Sequence, residues 1–304
     1  MPTGHQHAMP DGSKGLTISA WLTGIYFVVE MAIGLWTGSV AVISDAMHTF
    51  SAVGGVLVAL VARKLSQRPA DEWRSFGWYR AEILGALVNG AFLLAMALVV
   101  IVMASMRLTN PIDLPTLPML LAAAGGLLTE MIALGLLWRQ SKSDLNSRGA
   151  LWHIIQTFVG SLLIVVTALV IEFTGFLLID PLLGMAFGFV LLWASWGIIK
   201  DAIHLLMEGT PDEITLADVR AALEELDGVV DVHHLHAWAL TSNRSVMSSH
   251  LRVSEDVEMS DVMRQAHQLL KEEYGFFFVT LQIENTCLDE AGAEAIDIAA
   301  FGHT

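Results

Sequence analysis

A chain of 304 residues in which 54% are apolar and 15% charged, with a mean hydropathy of +0.59, is too apolar for a soluble protein of ordinary design. The formal net charge of −15 falls wholly on residues 201–304, which hold 20 acidic and 5 basic side chains. An acidic C-terminal part argues against nucleic acid and anionic lipid as its partners and suits a domain that handles cations.

The N-terminal tail MPTGHQHAMPDGSKG, residues 1–15, has neither the basic start nor the small-residue cleavage site of a signal peptide, so it is expected to be retained. Apolar stretches follow near residues 17–36, 40–62, 81–105, 115–138, 149–172 and 176–199. Each reaches about the 20 residues that a helix needs to cross a bilayer, which predicts an all-α membrane domain of six spans over residues 16–207. Lys14, Arg63, Lys64, Arg68, Arg74, Arg80, Arg139, Lys142 and Arg148 fall in the tail and in the loops on its side of the membrane, while Arg107 stands alone opposite. The positive-inside rule then places both termini in the cytoplasm.

After residue 208 the period changes. "EGTPDEIT" supplies a break, and Thr215 with Asp218 starts a helix expected over 215–227. Strands follow in "VVDVHHLHAWAL" and "SVMSSHLRV", then a helix in "SDVMRQAHQLLKEEYG" and a strand in "FFFVTLQIE". The αββαβ order predicts a small α+β sandwich over residues 208–288, followed by a flexible acidic tail, 289–304. The single cysteine, Cys287, leaves neither a disulfide nor a thiolate zinc cluster. No pairing of nucleophile with base and no phosphate loop is present, so neither enzymatic activity nor a resident cofactor is expected.

Ionisable side chains within membrane spans cost about 2.5 to 3.5 kcal/mol each at the centre and are functional candidates by default. Here they include Glu30, Asp45, His48, Glu82, Glu130 and His153. Asp45 and His48 stand at i and i+3 on one helical face, and His153 and Thr157 at i and i+4 on another. Two histidines from different helices with an acid one turn away are the core of a site for a borderline divalent cation such as zinc.

The segments "GSVAVISDAMHTFS", "FGWYRAEILGALVNG", "DLNSRGALWHIIQTFVGS", "IDPLLG", "LLMEGTP", "DVHHLHAWAL" and "VTLQIE" together resemble the cation diffusion facilitator family of zinc, cadmium and cobalt exporters, in order and over residues 15–285. The resemblance implies six helices, a cytoplasmic ferredoxin-like domain, a homodimer, and exchange of a cytoplasmic divalent metal for protons. It also implies a multi-pass protein of a bacterial inner (plasma) membrane. The usual transport site pairs a His or Asp with an Asp four residues on, once in span two and once in span five. Those pairs become His48 with Ala52 and His153 with Thr157, so both aspartates are missing.

Two neutral imidazoles leave a divalent charge uncompensated in a low-dielectric setting. Asp45 and Glu130 are the candidate replacement acids, Glu130 because the family usually carries Asn at that place in "GLLTEMIAL"; Glu30 matches an acid common in the subgroup. In the cytoplasmic domain His233, His236, His250, His267 and Glu284 are candidate ligands, whereas Phe277, Phe278 and Val279 stand where the family expects a His. Strand alternation sets His234 and His236 on one face and His233 on the other, so a site using all of them is not expected. A second reading is a non-transporting subunit or metal sensor of the same fold that partners a competent paralogue.

Overall fold

The computed structural model describes residues 12–137, 145–241 and 243–286, with side chains at all of these except 12–20, 52, 53, 56, 136–137 and 145–156. The side chains of Ala52 and His153, and the whole of Cys287 and of the tail 289–304, therefore lie outside the described residues. The chain divides into two compact units, one formed by residues up to 61 together with 86–199, the other by 62–85 together with residues from 200 onward.

Six long helices come first: α1 (Gly12–Thr37), α2 (Val40–Ser66), α3 (Ala81–Thr109), α4 (Thr116–Leu137), α5 (Leu145–Thr174) and α6 (Ile179–Leu206). Among the described residues four of them contain segments long and apolar enough to cross a membrane: Ala81–Thr109, Thr116–Gly135, Thr157–Thr174 and Ile179–Leu206. The segment Trp21–Thr37 of α1 is apolar but shorter. In α2 the apolar run is interrupted by buried Ser44, Asp45, Thr49 and Ser51.

The junction between α1 and α2 shows how a polar group is made tolerable here. Gly38 ends α1 in the left-handed region at φ +71°, its N–H donating to the Gly34 carbonyl at 2.8 Å. The first amides of α2 would then be buried without partners. Asp180, in the first turn of α6, accepts them from Val40 at 2.8 Å and Ala41 at 3.2 Å, and its other contact is the Ser39 hydroxyl at 2.5 Å. A buried carboxylate on a helix N-terminus satisfies both the orphan donors and the helix dipole, and it pins α2 to α6. Beyond this junction, small residues on α4 and α5, among them Ala122, Ala123 and Ala168, pack with Val42, Met119 and Ile164. Close approach through small side chains is how membrane helices associate, since lipid supplies no hydrophobic drive.

The remaining elements follow the predicted order: α7 (Leu216–Glu224), β1 (Val229–Thr241), β2 (Arg244–Val253), α8 (Met259–Glu272) and β3 (Phe278–Glu284). α7 stops before the expected end at residue 227 because the chain turns at Gly228, whose φ is +88°. The three strands form one sheet in the order β1-β2-β3, antiparallel between β1 and β2 and parallel between β2 and β3, with α8 as the crossover. One face of the sheet packs on the two helices through Val232, Leu235, Met247, Leu251, Leu223 and Leu270.

That core belongs to this domain alone, so residues 208–304 are expected to fold when expressed separately. Leu251, fully buried, should cost about 3 kcal/mol when cut to alanine. Urea denaturation of the fragment and of its Leu251→Ala variant, followed by circular dichroism, reads both outcomes. A fragment with no cooperative transition would show that this core does not suffice.

Candidate functional site

Two polar clusters stand out, one in each unit. In the helical unit, Glu30 of α1, Asp45 of α2 and Glu130 of α4 are all buried, as are Thr157 and Ser161 of α5. The Ser161 hydroxyl donates to Glu130 Oε1 at 3.1 Å and lies 3.5 Å from Asp45 Oδ2. Thr157 also hydrogen-bonds the Glu130 carboxylate, and Glu30 and Asp45 are within hydrogen-bonding reach of each other. Asp45 Oδ1 and Glu130 Oε2 are buried with no hydrogen-bond partner among the described residues, and buried Glu30 has the Tyr26 hydroxyl and Asp45 near it. Carboxylates gathered out of water repel unless a proton or a cation lies between them.

The cluster exists because glycines make room for it. A Cβ added at Gly160 would run into Asp45 Oδ1, and one added at Gly126 would run into the Ser161 hydroxyl and Tyr26. Tyr26 in turn donates to the Ala122 carbonyl at 2.8 Å, tying α1 to α4. His48 is half-buried, with its ring edge-on to Phe187 at 5.6 Å between centroids. Of the sequence candidates, then, Asp45, Glu130 and Thr157 are brought together, with Glu30 added. Among the described residues no group of three that includes His48, Asp45 or Glu130 closes its ligand atoms to within 4.8 Å.

The second cluster is on the sheet. Nitrogens of His233, His234 and His250 all lie within 4.8 Å of one another. The rings meet edge-to-face, with centroids 5.0 to 5.4 Å apart. Tetrahedral zinc with nitrogen ligands at about 2.0 to 2.1 Å needs a tighter set, so the side chains would close inward on an ion. His233 is oriented on both sides, Nδ1 lying 3.1 Å from Asp231 Oδ2 and Nε2 2.9 Å from Glu284 Oε1. His250 Nδ1 is buried without a hydrogen-bond partner among the described residues. Burial holds the His250 imidazole below its ordinary pKa, with Glu284 opposing and the neighbouring histidines adding to the depression. A neutral imidazole with an unmatched nitrogen is a metal ligand in waiting.

Here strand alternation fails. It separates His233 from His234, yet both join His250 on the sheet face away from the helices. The reason is an irregularity in the β1–β2 register between His233 and His236, where His234 takes a positive φ of 48°. The core positions of β1 run Val232, Leu235, Ala237, Ala239, and the gap of three between the first two leaves both intervening histidines on the outer face. That spacing is visible in "VHHLHAWA" and is the signal that strict alternation overlooks. His267, on α8, is half-buried and outside the set, and His236 is not part of it either.

Comparison with known proteins divides the chain between residues 207 and 211. The family described as "Cation efflux transmembrane domain" matches residues 16–207, and the one described as "Cation efflux protein, cytoplasmic domain" matches residues 211–286. The chain is 33% identical over 296 residues to the cation efflux system protein CzcD of Alcaligenes sp. (strain CT14), covering 96% of this chain and 93% of that protein. It is 34% identical over 286 residues, 92% of each, to the cadmium, cobalt and zinc/H(+)-K(+) antiporter of Bacillus subtilis (strain 168). The zinc transporter ZitB of Pectobacterium atrosepticum is 29% identical over 95% of this chain and 91% of its own length.

Proposed function

We propose that this chain, which belongs to the cation diffusion facilitator family of membrane cation efflux proteins, moves a divalent metal ion, zinc foremost, out of the cytoplasm in exchange for protons. The observation that carries the reading is the Glu130 carboxylate, held by Ser161 and Thr157. An aspartate is expected at position 157. The acid missing from α5 is supplied in space by α4, one helix away, and Asp45 faces the same hydroxyl.

In this reading metal enters from the cytoplasm onto His48 and His153, and Asp45 and Glu130 move onto it to balance its charge. Protonation of the histidines and acids on the far side then releases it. The six long helices act as six crossings with both termini inside. The sheet domain is ferredoxin-like, dimerises with a second copy, and binds a regulatory metal through His233, His234, His250 and Glu284. A second reading, a sensing subunit that does not transport, is favoured by one observation: the imidazole set on the sheet is nearly closed, and among the described residues, which leave out the His153 side chain, it is the set of three that closes to within 4.8 Å.

Purified protein in proteoliposomes distinguishes the two. A transporter acidifies or alkalises the lumen when a zinc gradient is imposed, and His48→Ala abolishes the signal; a sensor gives no flux as wild type. Rebuilding the missing acids with Ala52→Asp and Thr157→Asp is expected to raise zinc affinity at least tenfold, about 1.4 kcal/mol. If calorimetry finds the double variant no better than wild type, these positions do not converge on one ion.

A further inference from the structure

We propose that the cavity enclosed by the α2–α3 connection and the turn between β1 and β2 binds a phosphate-bearing anion, supplied by the headgroup of an anionic phospholipid. The cavity measures about 540 Å³, within the range of small-ligand sites of about 300 to 1,000 Å³. Its wall carries Arg63, Arg68 and Arg244 against one acid, Glu82. That acid is already engaged, accepting the Ser66 hydroxyl at 2.8 Å. Among the described residues none of the three arginines forms an ion pair within 4.0 Å.

Two of the guanidinium groups are held in place without being neutralised. Arg244 lies 4.4 Å over the Tyr79 ring and 4.7 Å over Phe277, and Arg68 is 5.4 Å from the Trp78 ring. Stacking on an aromatic face fixes the planar fork and leaves its N–H donors free, the arrangement suited to bidentate contact with phosphate. The acidic balance of residues 201–304 weighs against anionic partners for that segment as a whole. This pocket is a local exception, because two of its three arginines lie outside that segment, Arg63 in the last turn of α2 and Arg68 in the α2–α3 connection.

The source of the phosphate is indicated by position. α3 contains one of the segments apolar and long enough to span a membrane and starts at Ala81, two residues after Tyr79, and Glu82 in its first turn lines the cavity, so the cavity wall runs directly into the end of that segment, where headgroups would lie. In the same connection Trp73 is 90% exposed, and an indole left so bare is at home in the interfacial layer. The inference is independent of the transport site and holds equally for a chain that senses metal without moving it.

The test uses full-length protein in neutral detergent, with the thermal midpoint followed by tryptophan fluorescence. Dioctanoyl phosphatidylglycerol is titrated in, with dioctanoyl phosphatidylcholine, ATP and inorganic phosphate in parallel. Phosphatidylglycerol is expected to raise the midpoint saturably and phosphatidylcholine not to. Arg63→Gln combined with Arg68→Gln should weaken the apparent affinity at least tenfold. Gln67→Glu, which adds an acid at an exposed position lining the cavity and leaves the packing intact, should do the same if the arginine variant does not fold. A response to ATP or phosphate as strong as that to phosphatidylglycerol would keep the phosphate site and overturn the lipid as its source. No saturable shift with any of these anions, or shifts unchanged in a folded variant, would overturn the site.

Discussion

Gly160→Ala is expected to abolish metal-driven proton flux while leaving a folded protein. The added Cβ occupies the place of Asp45 Oδ1, and neither partner can give way easily: Asp45 is on the buried face of α2 and Gly160 on the backbone of α5. Overpacking of this kind costs about 1 to 3 kcal/mol, so the helices separate or the carboxylate turns away from Ser161. Alanine is the better helix former by about 1 kcal/mol, so lost flux would not come from a weaker α5. Gly197→Ala is the control, since a Cβ there meets nothing within 4 Å. Glu130→Gln keeps the shape and removes the charge, and flux should fall at least tenfold. Wild-type flux in Gly160→Ala, with the protein monodisperse by size-exclusion chromatography, would mean that Asp45 does not work from this packed position.

His250→Ala should lower zinc affinity of the sheet site at least a hundredfold, about 2.7 kcal/mol, measured calorimetrically in a His48→Ala, His153→Ala background that removes both candidate histidines of the helical unit. His250 faces both other imidazoles and is the member with an unmatched buried nitrogen. His234→Ala is expected to lose about tenfold, as one ligand of a set in which Glu284 can still reach the ion, while His267→Ala should change nothing. Equal losses from His234 and His267 would remove the bulge from the argument. Proton linkage has a definite sign as well. The folded state binds a proton at His250 more weakly than the unfolded chain does, so in chelator this group destabilises the domain as pH falls below about 6.5. Its contribution is fully favourable above that value, and His250→Gln should flatten that part of the profile.

Much of this architecture is legible without coordinates. The apolar stretches fall on the six long helices, and the αββαβ order and its approximate bounds reappear as α7, β1, β2, α8 and β3. Asp45 and Glu130 stand out as candidates because an acid in a membrane helix is costly wherever it sits. Asp180 does not stand out as a structural residue: its role is to cap a helix that starts 140 residues earlier, and no local spacing announces that. His234 is set aside by alternation although the apolar spacing of β1 already contains the bulge.

What the sequence by itself determined is everything that depends on repeat and composition: which segments are helices or strands, which face of each is apolar, and which connections are basic. These follow from periods of 3.6 and 2 and from the cost of placing charge in hydrocarbon, and both act within one segment. Only the tertiary structure decided that Glu130 of α4 meets Thr157 and Ser161 of α5, that Asp45 rests on Gly160, and that His233 and His234 turn to the same side. A period says which residues share a face but not which helix that face meets. That is set by where small residues let two backbones approach, and in a strand by where an extra residue breaks the pleat.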